Sequence, residues 1–267
     1  MALLITSTQN AHIKHLTALQ QKSALRKSEG VFLVEGRREL EHCLEVGFQL
    51  EEVYVCPELM ESEETVLGEM VAKVGDNHVF QVSPAIYDRI AYRGTTEGVV
   101  AMVKSRRLAL EDLHLPENPL LVVLESVEKP GNLGAVLRSA DAAKADAVIV
   151  CDPLTDLFNP NLIRSSIGAI FTVSTVACTS EECIAFLQRR GISILTAQLQ
   201  DSHLYYDTPM TGPTAIVMGT ESTGLTQQWR EAATAHIRIP MLGRLDSLNV
   251  SVSAAILLFE AVRQRQQ

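Results

Sequence analysis

The 267-residue sequence lacks long hydrophobic runs and has few cysteines. Its longest apolar stretches cover about a quarter of the ~20 residues that a bilayer-spanning helix needs. The first five residues are apolar, but they are too few for the core of a signal peptide and follow no basic residue. The five cysteines are odd in number and include no C-x-x-C pair, which disfavours both a disulfide framework and a structural zinc site. These absences predict a protein of the reducing cytoplasm, with no membrane and no metal partner.

Positive charge is also scarce, which argues against a polyanionic partner for the protein as a whole. The sequence has 32 acidic residues against 23 Lys and Arg, a net charge of −9. Residues 1–38 are the exception, because they contain six Lys and Arg residues but only two acidic residues, Glu29 and Glu35. Their net charge is +4. Two interpretations stay open on charge alone: a basic face on an acidic body, or an ordinary solvated surface.

The pattern of apolar segments predicts an α/β protein with two domains. Short β-branched runs at Val31–Val34, Val53–Cys56, Val79–Val82 and Val99–Val103 predict strands and alternate with segments of helical spacing. A polar stretch with Pro116 and Pro119 then interrupts the pattern, and we interpret residues 108–118 as a linker between domains at 1–107 and 119–267. In the second domain the predicted strands are apolar on both faces, as in a buried, open parallel sheet with helices between the strands.

Three loops that follow predicted strands carry polar residues suited to a binding site, because ligands of open α/β sheets bind at the carboxyl ends of the strands. The first loop leads through Asn132, a plausible N-cap, to Arg138; the second contains Glu221; the third contains Ser247 and Asn249. Structural alternatives remain for each: Arg138 as a surface or salt-bridge residue, Glu221 at the start of a helix, and capping for one of the polar residues in the third loop. A G-x-G-x-x-G fingerprint is absent, which disfavours a dinucleotide-dependent enzyme.

Read together, the three segments resemble a known family. N-L-G-A-V-L-R-S-A-D-A, V-M-G-T-E-S-T-G-L and I-P-M-L-G-R-L-D-S-L-N-V-S-V look like the three motifs of the SpoU (TrmH-like) RNA 2′-O-ribose methyltransferases, members of the SPOUT class. They anchor residues 119–267. Upstream, F-L-V-E-G, a helix and V-Y-V are similar to the family's L30-like substrate-binding domain.

The resemblance implies a SPOUT-type sheet with a C-terminal trefoil knot, an N-terminal L30-like α/β domain and a homodimer formed through the catalytic domain. It implies an S-adenosyl-L-methionine (SAM) pocket built from the second and third loops. Carried over by position, six residues line that pocket, largely through backbone groups: Leu195, Thr196, Gly219, Ile239, Met241 and Leu248. Five more occupy the family's functional polar positions: Asn132, Arg138, Glu221, Ser247 and Asn249.

Methyl transfer to a ribose hydroxyl mainly requires alignment of oxygen, carbon and sulfur. Arg138 is a poor general base, so we expect it to hold the target phosphate and orient the 2′-hydroxyl. Glu221 is expected to organise the loops or contact the partner subunit. One departure from the family is Lys129 directly before Pro130, where many relatives have an acidic residue, and we expect it to alter loop shape or substrate preference.

The implied substrate is structured RNA, with rRNA favoured over tRNA because the N-terminal domain resembles those of rRNA-directed relatives. The alternatives are a tRNA 2′-O-methyltransferase and an RNA-binding relative that has lost activity, although Arg138, Asn249 and Gly219 are all retained. Because the net charge is negative, RNA contacts should rest on a few basic residues: Lys14, Lys22, Arg26, Lys27, Arg37, Arg38 and Arg93.

Overall fold

The computed structural model describes residues 3–60, 68, 72–92, 97–220 and 223–266. The chain divides into two compact units. The first comprises Met1–Arg106 and Phe158–Gly168, and the second comprises Arg107–Leu157 and Ala169–Gln267. Among the described residues, no helix combines the length and the apolar character that crossing a bilayer would require.

The first unit contains a five-stranded mixed sheet in the order β1-β4-β3-β5-β2. Strands β1 and β3 run parallel to β4, whereas β5 is antiparallel to β2 and β3. Val31, Val53, Val79 and Val99 each lie in a strand as predicted, whereas β1 was not predicted. The elements are β1 (Leu3–Ile5), α1 (Ala11–Gln21), α2 (Ser23–Glu29), β2 (Val31–Glu35), α3 (Arg37–Glu45), β3 (Leu50–Val55), β4 (Val79–Val82), α4 (Pro84–Ile90) and β5 (Val99–Lys104).

Helix α1 illustrates how local sequence builds this unit. The Asn10 side chain caps the helix by accepting a hydrogen bond from the His12 amide at 2.8 Å. Ile13, Leu16 and Leu19 then recur every three residues and are fully buried, so one face of the helix packs into the core.

The second unit is built on a seven-stranded, all-parallel sheet in the order β10-β12-β9-β11-β6-β7-β8. Helix α6 (Pro160–Ser166), which follows β7 in the chain, groups with the first unit. The other elements are β6 (Leu120–Glu125), α5 (Pro130–Ala142), β7 (Ala147–Cys151), α7 (Ala169–Thr172), β8 (Thr175–Cys178), α8 (Ser180–Arg189), β9 (Ser193–Ala197), β10 (His203–Leu204), β11 (Thr214–Met218), α9 (Gln227–Ala232), β12 (Ala235–Arg238) and α10 (Val250–Arg265).

The central strands of this sheet are buried on both faces, which confirms the predicted α/β architecture with a parallel sheet. Every residue of β6, β7 and β11 is buried. Some details differ from expectation. The edge strands β8 and β10 were not predicted. Helix α5 begins at Pro130, with Lys129 at the N-cap position, so Asn132 lies inside the first turn instead of capping the helix.

A buried polar cluster fixes the helices that follow the sheet's carboxyl edge. The Glu125 carboxylate accepts hydrogen bonds from the Thr226 amide at 2.8 Å and the Thr226 hydroxyl at 2.6 Å. Trp229, which is fully buried, donates from Nε1 to Ser180 Oγ at 3.0 Å, and that hydroxyl donates to Asp152 Oδ2 at 2.6 Å. Because these buried groups are mutually satisfied, they hold the starts of α8 and α9 against β6.

Candidate cofactor and catalytic site

A cavity of about 340 Å³ lies beyond the carboxyl ends of β9, β11 and β12, in the second unit. This is the edge of the sheet where ligands of open α/β folds bind. Leu195 and Thr196 lie in β9, just before Ala197, where the wall of the cavity begins. The remaining predicted cofactor residues are part of the wall itself, together with Ser247: Gly219, Ile239, Met241 and Leu248.

The loop after β11 forms a tight wall. Thr220 and Gly224 exchange backbone hydrogen bonds of 3.3 and 3.1 Å, and the Thr220 and Thr223 hydroxyls lie 2.7 Å apart. A Cβ atom at Gly219 would overlap the backbone of Gly224 and Leu225. Only glycine therefore fits where this turn folds back against the end of the strand.

The loop after β12 forms an open wall. The side chains of Leu242 and Leu245 are 95% and 75% exposed. Ser247 and Asn249 are also exposed, and the Ser247 hydroxyl donates to Asp246 at 3.2 Å. In contrast to the first wall, no backbone hydrogen bond among the described residues closes residues 240–248 on themselves.

A hydrogen bond connects the first and third predicted motifs. Asn249 Nδ2 donates to Asn132 Oδ1 at 3.1 Å. Asn249 Oδ1 meanwhile caps α10 by accepting from the Ser251 amide at 2.9 Å and the Ser251 hydroxyl at 2.6 Å. Because α5 packs along α10, this bond joins the beginnings of two neighbouring helices.

Arg138 lies on α5, six residues beyond Asn132, and is exposed. Within the part of the chain that the structure describes, its guanidinium forms neither a hydrogen bond nor an ion pair. The salt-bridge alternative therefore has no support among these residues, and the five donors of the guanidinium are available to an anionic ligand. Glu221, predicted in the second motif, lies outside the described residues.

Two cavity residues were missed by sequence analysis. Gln198 Oε1 and Arg230 Nε are buried, line the wall, and have no hydrogen-bond partner among the described residues. Buried polar atoms are normally paired, so a water molecule or a polar ligand in the cavity would complete the hydrogen bonding of these two. Gln198 directly follows a parallel strand, a position that the edge rule singles out, whereas Arg230 lies within α9 and carries no comparable signal.

The basic residues predicted to contact RNA are not equivalent in the structure. Lys14, Lys22 and Lys27 are exposed on α1 and α2 or between them, whereas Arg93 lies outside the described residues. Arg37 and Arg38 are exposed but form ion pairs with acidic residues of their own helix, at 2.7 and 2.9 Å.

Arg26 requires a correction, because its side chain is only 3% exposed. Its guanidinium donates to the carbonyl oxygens of Leu19 and Gln20 at the end of α1. It therefore stabilises the helix terminus, and it is not part of the exposed basic set.

Comparison with known proteins identifies the family. Residues 119–259 match the model of the SpoU rRNA Methylase family, which covers more than half of the chain. The chain belongs to the SpoU rRNA methylase family. Membership confirms the resemblance drawn from the three motifs, and with it the predicted class of S-adenosylmethionine-dependent RNA 2′-O-methyltransferase. Residues 10–101 match a second model, described as an MRM3-like substrate binding domain.

Individual SpoU relatives are similar over most of their length. The chain is 41% identical over 176 residues to a 23S rRNA (guanosine-2′-O-)-methyltransferase RlmB of Photobacterium profundum, covering 64% of this chain and 72% of that protein. A crystal structure of an RNA 2′-O ribose methyltransferase matches with a TM-score of 0.85 and 38% identity, over 99% of this chain and 100% of the other. An AdoMet-bound rRNA methyltransferase from Sinorhizobium meliloti matches with a TM-score of 0.89 and 30% identity, over 98% of both chains.

Proposed function

We propose that the protein methylates a ribose 2′-hydroxyl in 23S rRNA, with S-adenosylmethionine as the methyl donor. The observation that carries this proposal is the Asn132–Asn249 hydrogen bond. It joins the first motif, which bears Arg138, to the motif that forms one wall of the cavity. The substrate class is taken from relatives that are named 23S rRNA (guanosine-2′-O-)-methyltransferases.

The cavity suits S-adenosylmethionine in size and in chemistry. Its volume lies at the lower end of the roughly 300–1,000 Å³ of small-molecule sites. Met218, Ile239 and Leu248 supply apolar surface. The unpaired acceptor of Gln198 and donor of Arg230 complement the polar groups of a nucleoside bearing an amino acid. When bound, S-adenosylmethionine supplies an electrophilic methyl group on a sulfonium sulfur.

Other residues around the cavity shape its walls and orient the RNA. Gly219 keeps the first wall closed, and Ser247 and Leu248 face the cavity from the second wall. Arg138 holds an RNA phosphate and thereby orients the ribose, because a guanidinium offers five donors but no acceptor for a proton. Asn132 and Asn249 hold α5, which bears Arg138, in place beside the cavity wall. The proton of the ribose 2′-hydroxyl leaves to solvent as the oxygen–methyl bond forms.

The first unit is proposed to bind the substrate RNA as an L30-like domain, with residues 108–118 as the linker to a catalytic domain at 119–267. The match of residues 10–101 to a substrate-binding domain model supports this assignment. The exposed Lys14, Lys22 and Lys27 provide its phosphate contacts, so RNA affinity should depend on salt through only a few charges.

A trefoil knot and a homodimer complete the proposal, in a cytoplasmic enzyme. The sheet order supports the knot, because β12 lies between β9 and β10 although it follows both in the chain. The exposed leucines of the third loop support the dimer, because apolar side chains at a polar site suggest cover by a second subunit. No catalytic step calls on a metal ion.

Methyl transfer to isolated RNA classes tests the proposal. Tritiated S-adenosylmethionine is incubated with total rRNA or total tRNA from a strain lacking this gene, and the label is mapped. We expect one 2′-O-methyl nucleotide in 23S rRNA. Label in tRNA would overturn the substrate, and no label in either RNA despite confirmed cofactor binding would favour an inactive RNA-binding relative.

The role of Arg138 has a separate test. Arg138→Ala should reduce methyl transfer by at least about 100-fold, because it removes a charged contact on the reacting nucleotide. Affinity for S-adenosylmethionine, measured by calorimetry, should stay near that of the wild type because Arg138 is exposed on α5. Arg138→Lys keeps the charge but loses the planar fork, and it should recover only part of the rate. Near wild-type turnover in the alanine variant would contradict the mechanism.

A further inference from the structure

Three cysteines converge in the second unit, at a place that the proposed reaction does not use. The sulfur atoms of Cys151, Cys178 and Cys183 all lie within 4.8 Å of one another. Cys151 and Cys183 are fully buried, and Cys178 is partly exposed. Sequence analysis expected no metal site because the cysteines include no C-x-x-C pair; Cys178 lies 27 positions after Cys151, and only the fold brings the two together.

Regular secondary structure holds each cysteine in place. Cys151 is the last residue of β7, Cys178 is the last residue of β8, and these two residues are register partners in the parallel sheet. Cys183 is the fourth residue of α8, whose first turn is fixed by a capping box between Thr179 and Glu182. Three thiols are thus presented from three elements toward one point, without a flexible loop among them.

The arrangement has the dimensions of a thiolate metal site. Zinc–sulfur bonds of about 2.3 Å in tetrahedral geometry place sulfur atoms about 3.8 Å apart. The observed limit of 4.8 Å therefore requires only small side-chain adjustments. We propose that Cys151, Cys178 and Cys183 bind one thiophilic metal ion of the Zn²⁺ class, with solvent as the fourth ligand on the exposed side of Cys178. Sulfur ligands without oxygen donors select such soft ions over Mg²⁺ or Ca²⁺.

Metal binding requires the three cysteines as thiolates. Binding forms three metal–sulfur bonds and breaks the S–H bonds of the thiols, and the displaced protons go to solvent.

Two carboxylates lie beside the cluster but are already engaged. Asp152 accepts from the Ser180 amide at 3.2 Å, and Glu182 accepts from the Thr179 amide at 2.8 Å. Their charges favour the approach of a cation, while their hydrogen bonds leave coordination to the sulfur atoms.

The site would act on stability, not on methyl transfer. In the sheet, β6 separates β7 and β8 from the strands that end at the cavity. A bound ion would cross-link the edge strand β8 to β7 and α8, and it would stabilise the folded state because only that state assembles the three ligands.

Cobalt and zinc titrations of the reduced, full-length protein test the inference. We expect one Co²⁺ per chain, with a sulfur-to-cobalt charge-transfer band and the red d–d bands of a tetrahedral site. Zn²⁺ should displace the cobalt, release protons and raise Tm. Cys178→Ala, at the partly exposed position, should weaken Zn²⁺ binding by more than the roughly 10- to 100-fold that loss of an outer-shell partner costs.

Cys43→Ala and Cys56→Ala are matched controls, because both remove buried free cysteines of the first unit. They should keep the full cobalt spectrum, and circular dichroism checks that every variant is folded. Cys183→Ser provides a second cluster variant if Cys178→Ala does not fold. The absence of a charge-transfer band in the reduced wild type, or equal losses in cluster and control variants, would overturn the inference.

Discussion

The two walls of the cavity are built in different ways. The loop after β11 is closed on itself by the Thr220–Gly224 backbone pair and has no room for a side chain at Gly219. The loop after β12 exposes Leu242 and Leu245 to solvent. The first wall is therefore closed by contacts within its own loop, whereas the second presents apolar side chains that the described residues leave exposed.

This difference separates two tasks of the site. A wall that is formed before the ligand arrives lowers the cost of binding, because less conformational freedom is lost. A wall whose backbone is not closed by hydrogen bonds can be ordered by a ligand or by a second subunit. We therefore expect cofactor affinity to depend on the first wall and assembly to depend on the second.

Among changes to the two walls, the largest effect is expected where the first wall is tightest. Gly219→Ala inserts a Cβ into the backbone of the turn and should weaken S-adenosylmethionine binding by about 10- to 100-fold. Gly243→Ala is the matched control in the second wall, since nothing lies within 4 Å of its added Cβ. The measurement is calorimetric titration of both variants with S-adenosylmethionine. An equal loss of cofactor affinity in the two variants would contradict the proposed difference between the walls.

The next effect concerns the second wall and the proposed dimer. Leu242→Ser should raise the dimer dissociation constant by about 10-fold, because an apolar side chain that becomes partly buried on association contributes about 1.4 kcal/mol. Leu154→Ser, which changes another exposed leucine of the same unit, serves as the control. Sedimentation analysis showing unchanged association of the Leu242 variant would mean that no second subunit covers this wall.

A smaller effect is expected where the second wall meets α5. Asn249→Ser keeps an oxygen to cap α10 but is too short to reach Asn132, so turnover should fall about fivefold, the value of one hydrogen bond. Asn249→Ala removes the cap as well and should cost about 1 kcal/mol of stability. Methylation rates and denaturant unfolding of both variants distinguish the two roles. Wild-type turnover in the Asn249→Ser variant would reduce the role of Asn249 to capping α10.

Sequence patterns predict those parts of this fold in which local and global signals agree. The interior strands β6, β7 and β11 are continuous apolar runs because both of their faces are buried. The edge strand β8 contains Thr175 and ends on partly exposed positions, so it gives no such run. The N-cap of α5 was placed three residues late, at Asn132 instead of Lys129, because Pro130 takes the first helical position.

In the site, too, sequence patterns predicted some residues and missed those whose positions depend on the folded structure. The motifs led to Gly219, Met241 and Leu248 in the cavity wall. No pattern indicated that Arg26 would be buried against the carbonyl oxygens of α1, since a charged residue in a polar segment normally predicts a surface position. Arg230 was likewise hidden, because the contact that makes it part of the site depends on the order of strands far apart in the sequence.

The smallest effect probes α10 far from both walls. Arg263 donates to both carboxylate oxygens of Glu260, at 2.8 and 2.7 Å, and this pairing lowers the pKa of Glu260 below its usual value of 4.5. The charged form is thus favoured by folding, so the pair contributes stability above pH 4.5, and that contribution is lost as the pH falls through the lowered pKa. Glu260→Gln should lower Tm by about 1–2 °C at pH 7, and the difference from wild type should shrink on acidification.

Because Glu260 lies ten residues beyond the start of α10, the same variant should leave S-adenosylmethionine affinity unchanged. Thermal unfolding from pH 7 to pH 3, paired with calorimetric titration at pH 7, measures both quantities. A Tm difference that stayed constant with pH would assign the effect to packing instead of charge. A change in cofactor affinity would mean that the second wall is held by the whole length of α10, and the distinction between a closed wall and an open one would then no longer hold.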